Sequence, residues 1–237
     1  RVTGWEYFDP LIAIAVATLI IHTGYRLVTE STRVLLDETL PADYNVAPSK
    51  QVYMVVDRET DDEVQRQLRT AKWGLVPSWA KDPKIGNRMI NARIETAAEK
   101  PSFRRAWAKR RCLLPADGYY EWYAGQGPKQ PFFIHRTDGA SLAMAGLFEF
   151  WKDGEDWLVT CCVLTTSATD ELGRIHDRMP VLVPRENWGA WLDPQHAPAI
   201  DMTVPAMATG LEAYPVSTEV NSVKHNGPHL LDPLPAS

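Results

Sequence analysis

Two Asp-Gly pairs limit how this chain can fold. Asp138-Gly139 lies between "QPFFIHRT" and "ASLAMAGLFEFW", and Asp153-Gly154 lies between "FEFWK" and "EDWLVTCCVLTT". Glycine accepts the positive φ of a tight turn, so an Asp-Gly pair between apolar runs reads as a hairpin. The same texture of short apolar runs and turn residues continues from Pro41 almost to the end. Helical stretches are fewer. "KPSFRRAWAKR" has Pro101 at its start and Phe103, Ala106 and Trp107 at i, i+3 and i+4, and "PRENWGAWL" is a second. The expected fold is therefore an α+β domain of mostly antiparallel strands, and 237 residues suffice to bury a real core. No internal repeat or low-complexity segment stands out.

The front of the chain has a different character. From Pro10 to Tyr25, 16 residues pass without Asp, Glu, Lys or Arg. A membrane span wants about 20 apolar residues, so this run needs Trp5, Tyr7 and Phe8 at the interface to cross. A buried soluble helix explains it as well. Glu6 and Asp9 stand where a secretory leader would carry positive charge, which argues against a signal peptide.

The net charge of −5 conceals an uneven distribution. Between Ala71 and Arg111, eleven Lys/Arg face three Asp/Glu, a local +8 that leaves −13 on the remainder. Such a stripe suits a phosphate-binding face, or equally a solvated helix surface. Three cysteines, two of them adjacent, offer neither a disulfide framework nor zinc-ligand spacing, so no metal and no cofactor are expected.

Candidate chemistry sits in four pieces. "YNVAPSK" fixes polar Asn45 between apolar neighbours. "WGLVPSWAKDPKIGNRMINARIETAAEKPSFRRAW" interleaves Trp73 and Trp79 with the cationic stripe, which suits stacking on unpaired bases or, alternatively, two core tryptophans. In "RRCLLPADGYYEWY", a strand over Gly118–Tyr123 puts Glu121 on one face with Tyr119 and Tyr123, and Tyr120 and Trp122 on the other. A carboxylate among aromatics is half-exposed filler or a group tuned for proton transfer. In "GRIHDRMPVLV", His176 is bracketed by Arg174, Asp177 and Arg178, and either moves protons or serves the structure.

Two resemblances add to this reading. The opening segment "GWEYFDPLIAIAVATLIIHTGYRLVTESTRVLLDE" is similar to the last transmembrane helix of the cation diffusion facilitator transporters over residues 1–38. The ordered blocks YNVAP, WGLVPSW, INAR-x-ET, AEKPSFRRAW, RRCLLPADGYYEW, PFFIHR, AGLFEFW, IHDRMPVLV and NSVKHNGPHLLDP resemble the SRAP family of abasic-site processing proteins, from about Pro41 to Pro233. That resemblance implies a pseudo-barrel of mostly antiparallel strands with peripheral helices. It also implies a monomeric partner of single-stranded DNA with abasic sites, working in the cytoplasm at the nucleoid as part of the SOS response. The implied chemistry is a thiazolidine formed with the ring-opened deoxyribose, together with peptidase-type self-processing. Carried over block by block, the catalytic residues are Glu121 as acid/base, His176 for ring opening and proton transfers, and Asn91 lining the site. Arg93, Asn45, Trp73, Pro77, Trp79, Arg104 and Arg105 are the implied DNA contacts.

One element of the family pattern is missing. Its members begin Met-Cys-Gly-Arg, and the exposed Cys supplies both the amine and the thiolate; the internal Cys112, Cys161 and Cys162 have no free α-amine. The expectation is a hybrid chain. Residues 1–38 form a foreign apolar helix, and residues 39–237 form an SRAP domain that lacks its first strand, has an open sheet edge and does not cross-link. The alternatives are a transporter fragment that touches the membrane through residues 10–25, and a non-covalent single-strand binder.

Overall fold

The computed structural model describes residues 40–59, 64–125, 127–168, 174–198 and 210–235. The chain divides into two units, Arg1–Pro41 and Ala42–Ser237. The apolar helix expected over residues 1–38, and its membrane contact through residues 10–25, lie outside the described residues. Among the described residues no helix is long and apolar enough to cross a membrane.

The second unit is built on strands β1 (Gln51–Glu59), β2 (Val64–Trp73), β3 (Asn91–Arg93), β4 (Arg111–Ala116), β5 (Gly118–Tyr123), β6 (Gln130–Arg136), β7 (Leu142–Asp153), β8 (Asp156–Ser167), β9 (Arg178–Pro180) and β10 (Leu211–Pro215). Three short helices accompany them: α1 (Ile94–Ala97), α2 (Arg104–Lys109) and α3 (Trp188–Leu192). Five strands close a barrel. β1 pairs antiparallel with β2, and the end of β2 runs parallel to β8 at Lys72↔Thr160 and Trp73↔Cys161. β8 then pairs antiparallel with β7, β7 with β4, and β4 meets β1 at Val55↔Leu113. These five described strands thus close on one another.

Where β4, β7 and β8 run side by side, both faces of the barrel wall are covered. Met54, Ala71, Cys112, Leu114, Met144, Cys161 and Val163 meet inside it. Leu113, Leu147, Cys162 and Leu164 point outward, under Phe103, Ala106 and Trp191 from the helices. This is why "RCLL" and "TCCVL" are apolar without alternation. All three cysteines are buried and reduced. Burial pushes the Cys161 thiol up to about 12 and raises those of Cys112 and Cys162 as well.

A second sheet of three antiparallel strands runs in the order β10-β6-β5. The Asp153-Gly154 turn joins β7 to β8 as expected, with Gly154 at φ 61. The Asp138-Gly139 turn does not join a paired hairpin. Gly139 takes a positive φ of 70 as the motif requires, but β6 is the central strand of its sheet, with β5 and β10 on its two edges. No edge is left for β7, which belongs to the barrel.

Arg111 organises the helical side. It is buried, and its guanidinium donates to the carbonyls of Trp107 (2.7 Å), Ala108 (3.1 Å), Trp191 (2.7 Å), His196 (2.7 Å) and Asp193. The orphan carbonyls at the ends of α2 and α3 thus share one cation. Its neighbour Arg110 binds the buried Glu149 at 2.6 Å. Two of the eleven charges of the cationic stripe are therefore committed inside the fold. Replacing Arg111 by Met leaves these carbonyls unmet and is expected to cost about 3–5 kcal/mol. Urea unfolding checks this through the midpoint, and a loss below about 1 kcal/mol contradicts the account.

Candidate functional site

Asn91 and Arg93 lie on β3, exposed on either side of buried Ala92. Their position depends on a loop that folds back on itself. Gly74, at φ 130, faces Gly86 so closely that a Cβ on Gly74 would lie 2.7 Å from the Gly86 carbonyl oxygen, and one on Gly86 would lie 2.5 Å from that of Gly74. Within this loop Trp73 is half-buried and donates its indole N–H to the Ile90 carbonyl at 2.9 Å. Pro77 is buried, whereas Trp79 is 59% exposed. Of the three residues expected to stack on bases, Trp79 alone offers an open ring face.

β3 then pairs with β8, Arg93 opposite Thr165, and on the other edge of β8 Thr165 faces Pro180 of β9. The turn before β9 carries His176. Its Nδ1 lies 3.0 Å from the Arg178 backbone nitrogen and 3.3 Å from the Arg178 carbonyl oxygen. Nδ1 also lies 3.3 Å from the Asp177 carboxylate. Arg178 reaches back across β8: its two terminal nitrogens donate to the two carboxylate oxygens of Glu95 at 2.8 and 2.9 Å, and one of them also to the Thr165 carbonyl at 2.5 Å. This fork ties the His176 turn to the residue two beyond Arg93. The Arg178 bond holds the Glu95 carboxyl below its ordinary range.

Glu121 lies on β5 opposite Phe132 of β6. The strand alternates as its sequence suggests. Tyr120 and Trp122 pack with Phe133, Val216, Val220 and Leu230, while Tyr119 packs on the opposite side with Ile134, Ile175, Met179 and Ala168. The strand that carries Glu121 and the turn that carries His176 therefore meet over one apolar cluster. Burial and then the nearby Glu121 charge raise the Tyr119 hydroxyl well above its usual value, which keeps it protonated.

The remaining expected contacts fall into two groups. Asn45 is buried, and its amide donates to the carbonyls of Val220 (3.2 Å), Ser222 (3.1 Å) and His225 (3.2 Å). It clasps the C-terminal segment onto the domain, a structural task that the sequence reading did not foresee. Arg104 and Arg105 are exposed on α2, and Arg105 donates to the Ser78 hydroxyl at 3.0 Å, beside Trp79.

Comparison with known proteins agrees with this architecture. The family model described as SOS response associated peptidase (SRAP) matches residues 20–223. The chain belongs to the SRAP family. The match begins inside the transporter-like stretch, so the two likenesses overlap over residues 20–38. Abasic site processing protein YoqW of Bacillus subtilis is 41% identical over 207 residues, covering 83% of this chain and 91% of the relative. Abasic site processing protein YedK of Escherichia coli is 33% identical over 199 residues, covering 81% and 84%. A crystal structure of a protein from Bacteroides thetaiotaomicron superposes with a TM-score of 0.67 at 27% identity, covering 78% and 82%.

The SRAP blocks named single residues, but they did not reveal the Glu95–Arg178 bridge or the support from Tyr119. Glu95 and Arg178 are 83 positions apart and nothing in their spacing pairs them. Arg178 drew notice only as a neighbour of His176. Because the Glu95 carboxyl titrates lower in the fold than in an unfolded chain, its contribution is fully present above the ordinary carboxylate range. It is lost as pH falls through the lowered value. Glu95→Gln should therefore lower neutral-pH stability slightly, by no more than about 1 kcal/mol for a partly exposed pair, and leave acid-side stability unchanged, which flattens the acid limb by the same small amount. Thermal melts between neutral and acid pH check this, and an unchanged acid limb contradicts it.

Proposed function

We propose that this SRAP chain holds single-stranded DNA at an abasic site and carries out acid–base chemistry on the ring-opened sugar. What supports the reading is one convergence. The Glu121 strand and the His176 turn share the Tyr119–Ile175–Met179 cluster, and the Glu95–Arg178 fork ties that turn to Asn91 and Arg93. Relatives spanning most of the chain carry the name of abasic site processing proteins.

In this reading Arg93 and the exposed cations of α2 engage phosphates, and Asn91 orients the sugar. His176 offers an imidazole N–H to the sugar ring oxygen as the hemiacetal opens to the aldehyde, and Glu121 carries the proton that must move in the opposite sense. A pair of groups of differing character beside one substrate matches what general acid–base work needs. Covalent capture requires a further group. An amine attacks the aldehyde carbon, the carbonyl oxygen leaves as water, and a thiolate adds to the resulting iminium carbon to close a thiazolidine. Cys112, Cys161 and Cys162 cannot do this. They are internal, buried, and their thiols titrate far above neutral pH.

The test is a paired assay on single-stranded DNA with one abasic site. One protein is this chain; in the other, residues 1–40 are replaced by a segment that starts Met-Cys-Gly-Arg. A denaturation-resistant adduct is expected only from the second. Glu121→Gln or His176→Ala in that background should slow its formation by about 100-fold or more. No adduct from the second protein, or undiminished rates in both variants, would overturn the proposal.

A further inference from the structure

Beyond Trp79, the surface continues into an open groove that no implied site residue except Arg105 touches. Ser78, Arg105, Arg110, Glu149, Phe150 and Trp157 line it. Two of its aromatic rings are unusually open for a sheet surface: Phe150 is 41% exposed and Trp157 is 63% exposed. Each already carries a cation. The Arg110 guanidinium lies 6.0 Å from the Phe150 ring centroid, and the Lys152 ammonium lies 5.9 Å from that of Trp157. The acid within the groove, Glu149, is buried and neutralised by Arg110 at 2.6 Å. Arg104, Arg105 and Lys109 stand exposed on α2, and Glu155 and Asp156 stand exposed at the β7–β8 hairpin tip.

The geometry points to a second stacking subsite for unpaired nucleic acid. The strand leaves the lesion pocket past Trp79, follows α2 with its phosphates, and lays one or two bases on Phe150 and Trp157. This rests on the abasic-site reading and extends it to the flanking strand. The groove is continuous with the Trp79 loop: Arg105 binds Ser78, and the Trp151 indole donates to the Ala80 carbonyl at 2.7 Å. The other plausible occupant, a peptide strand added to β7, is disfavoured by the edge itself. β4 ends at Arg111↔Leu147, the Phe148 N–H is taken by the Arg110 carbonyl at 3.0 Å, and the Phe150 N–H is taken by the Glu149 carboxylate at 3.0 Å. The first two donors that an incoming peptide would use are already satisfied. Stacking faces beside arginines suit unpaired bases of any sequence.

The test uses the full chain and fluorescence anisotropy with three labelled oligonucleotides. One is a short strand centred on an abasic site; the others extend it with thymidines on the 5′ or the 3′ side. The wild type should bind one extended strand roughly ten-fold tighter than the short one. Phe150→Ala/Trp157→Ala should abolish that gain while leaving short-strand affinity and the melting temperature unchanged, and Phe150→Tyr/Trp157→Phe should restore most of it. If short-strand binding is normal but neither extension adds affinity, or if the double alanine variant keeps the gain, the subsite is overturned and the abasic-site reading stands. If the wild type binds no strand at all, both fall.

Discussion

The candidate site depends on β8 having both edges in use. Toward its start β8 closes the barrel, with β7 on one edge and β2 on the other. Toward its end the same two edges are taken over by β9 and β3. A strand pairs residue by residue, so the register that closes the barrel also fixes Arg93 opposite Thr165 and Thr165 opposite Pro180. Shifting it would move Asn91, Arg93 and the His176 turn together. β3 and β9, three residues each, could not hold themselves in place; they are extensions of the barrel wall.

Polar groups inside the protein are used to pin segments rather than to react. Arg111 gathers the carbonyls that end two helices, Arg110 neutralises Glu149, and Asn45 binds the C-terminal segment through three carbonyls. Each is a buried group that would be costly without partners, and each has them. The surface cations that remain, on α2 and around the Trp79 loop, stand beside exposed aromatic rings. The net charge of −5 does not reveal this local arrangement of cations beside aromatic rings.

Where local chemistry decided the structure, the sequence was readable. The alternation of Tyr119 and Glu121 against Tyr120 and Trp122 follows from the pleat. The Asp153-Gly154 hairpin follows from its turn, and the apolar runs around the cysteines from burial on both faces. Where distant partners decided, it was not. Asp138-Gly139 has the right turn chemistry, yet it links two sheets, because pairing on both edges of β6 is a tertiary fact. Arg110 and Arg111 look like members of a surface stripe until the helices fold over them. Asn45 looks like a ligand-facing polar residue until the C-terminal segment, 175 or more positions away, supplies its acceptors.

The proposed function requires Asn91, Arg93, Glu121 and His176 to act together on the lesion itself and not on the phosphate backbone alone. The most direct measurement is the affinity of the chain for two strands of identical sequence and length, one with a single abasic site and one without, over a range of salt. A lesion-reading pocket predicts tighter binding of the damaged strand at every salt concentration with nearly parallel salt slopes, because the added contacts are to the sugar and not to phosphates. Equal affinities for the two strands at all salt concentrations would contradict it, and would leave only a cationic surface.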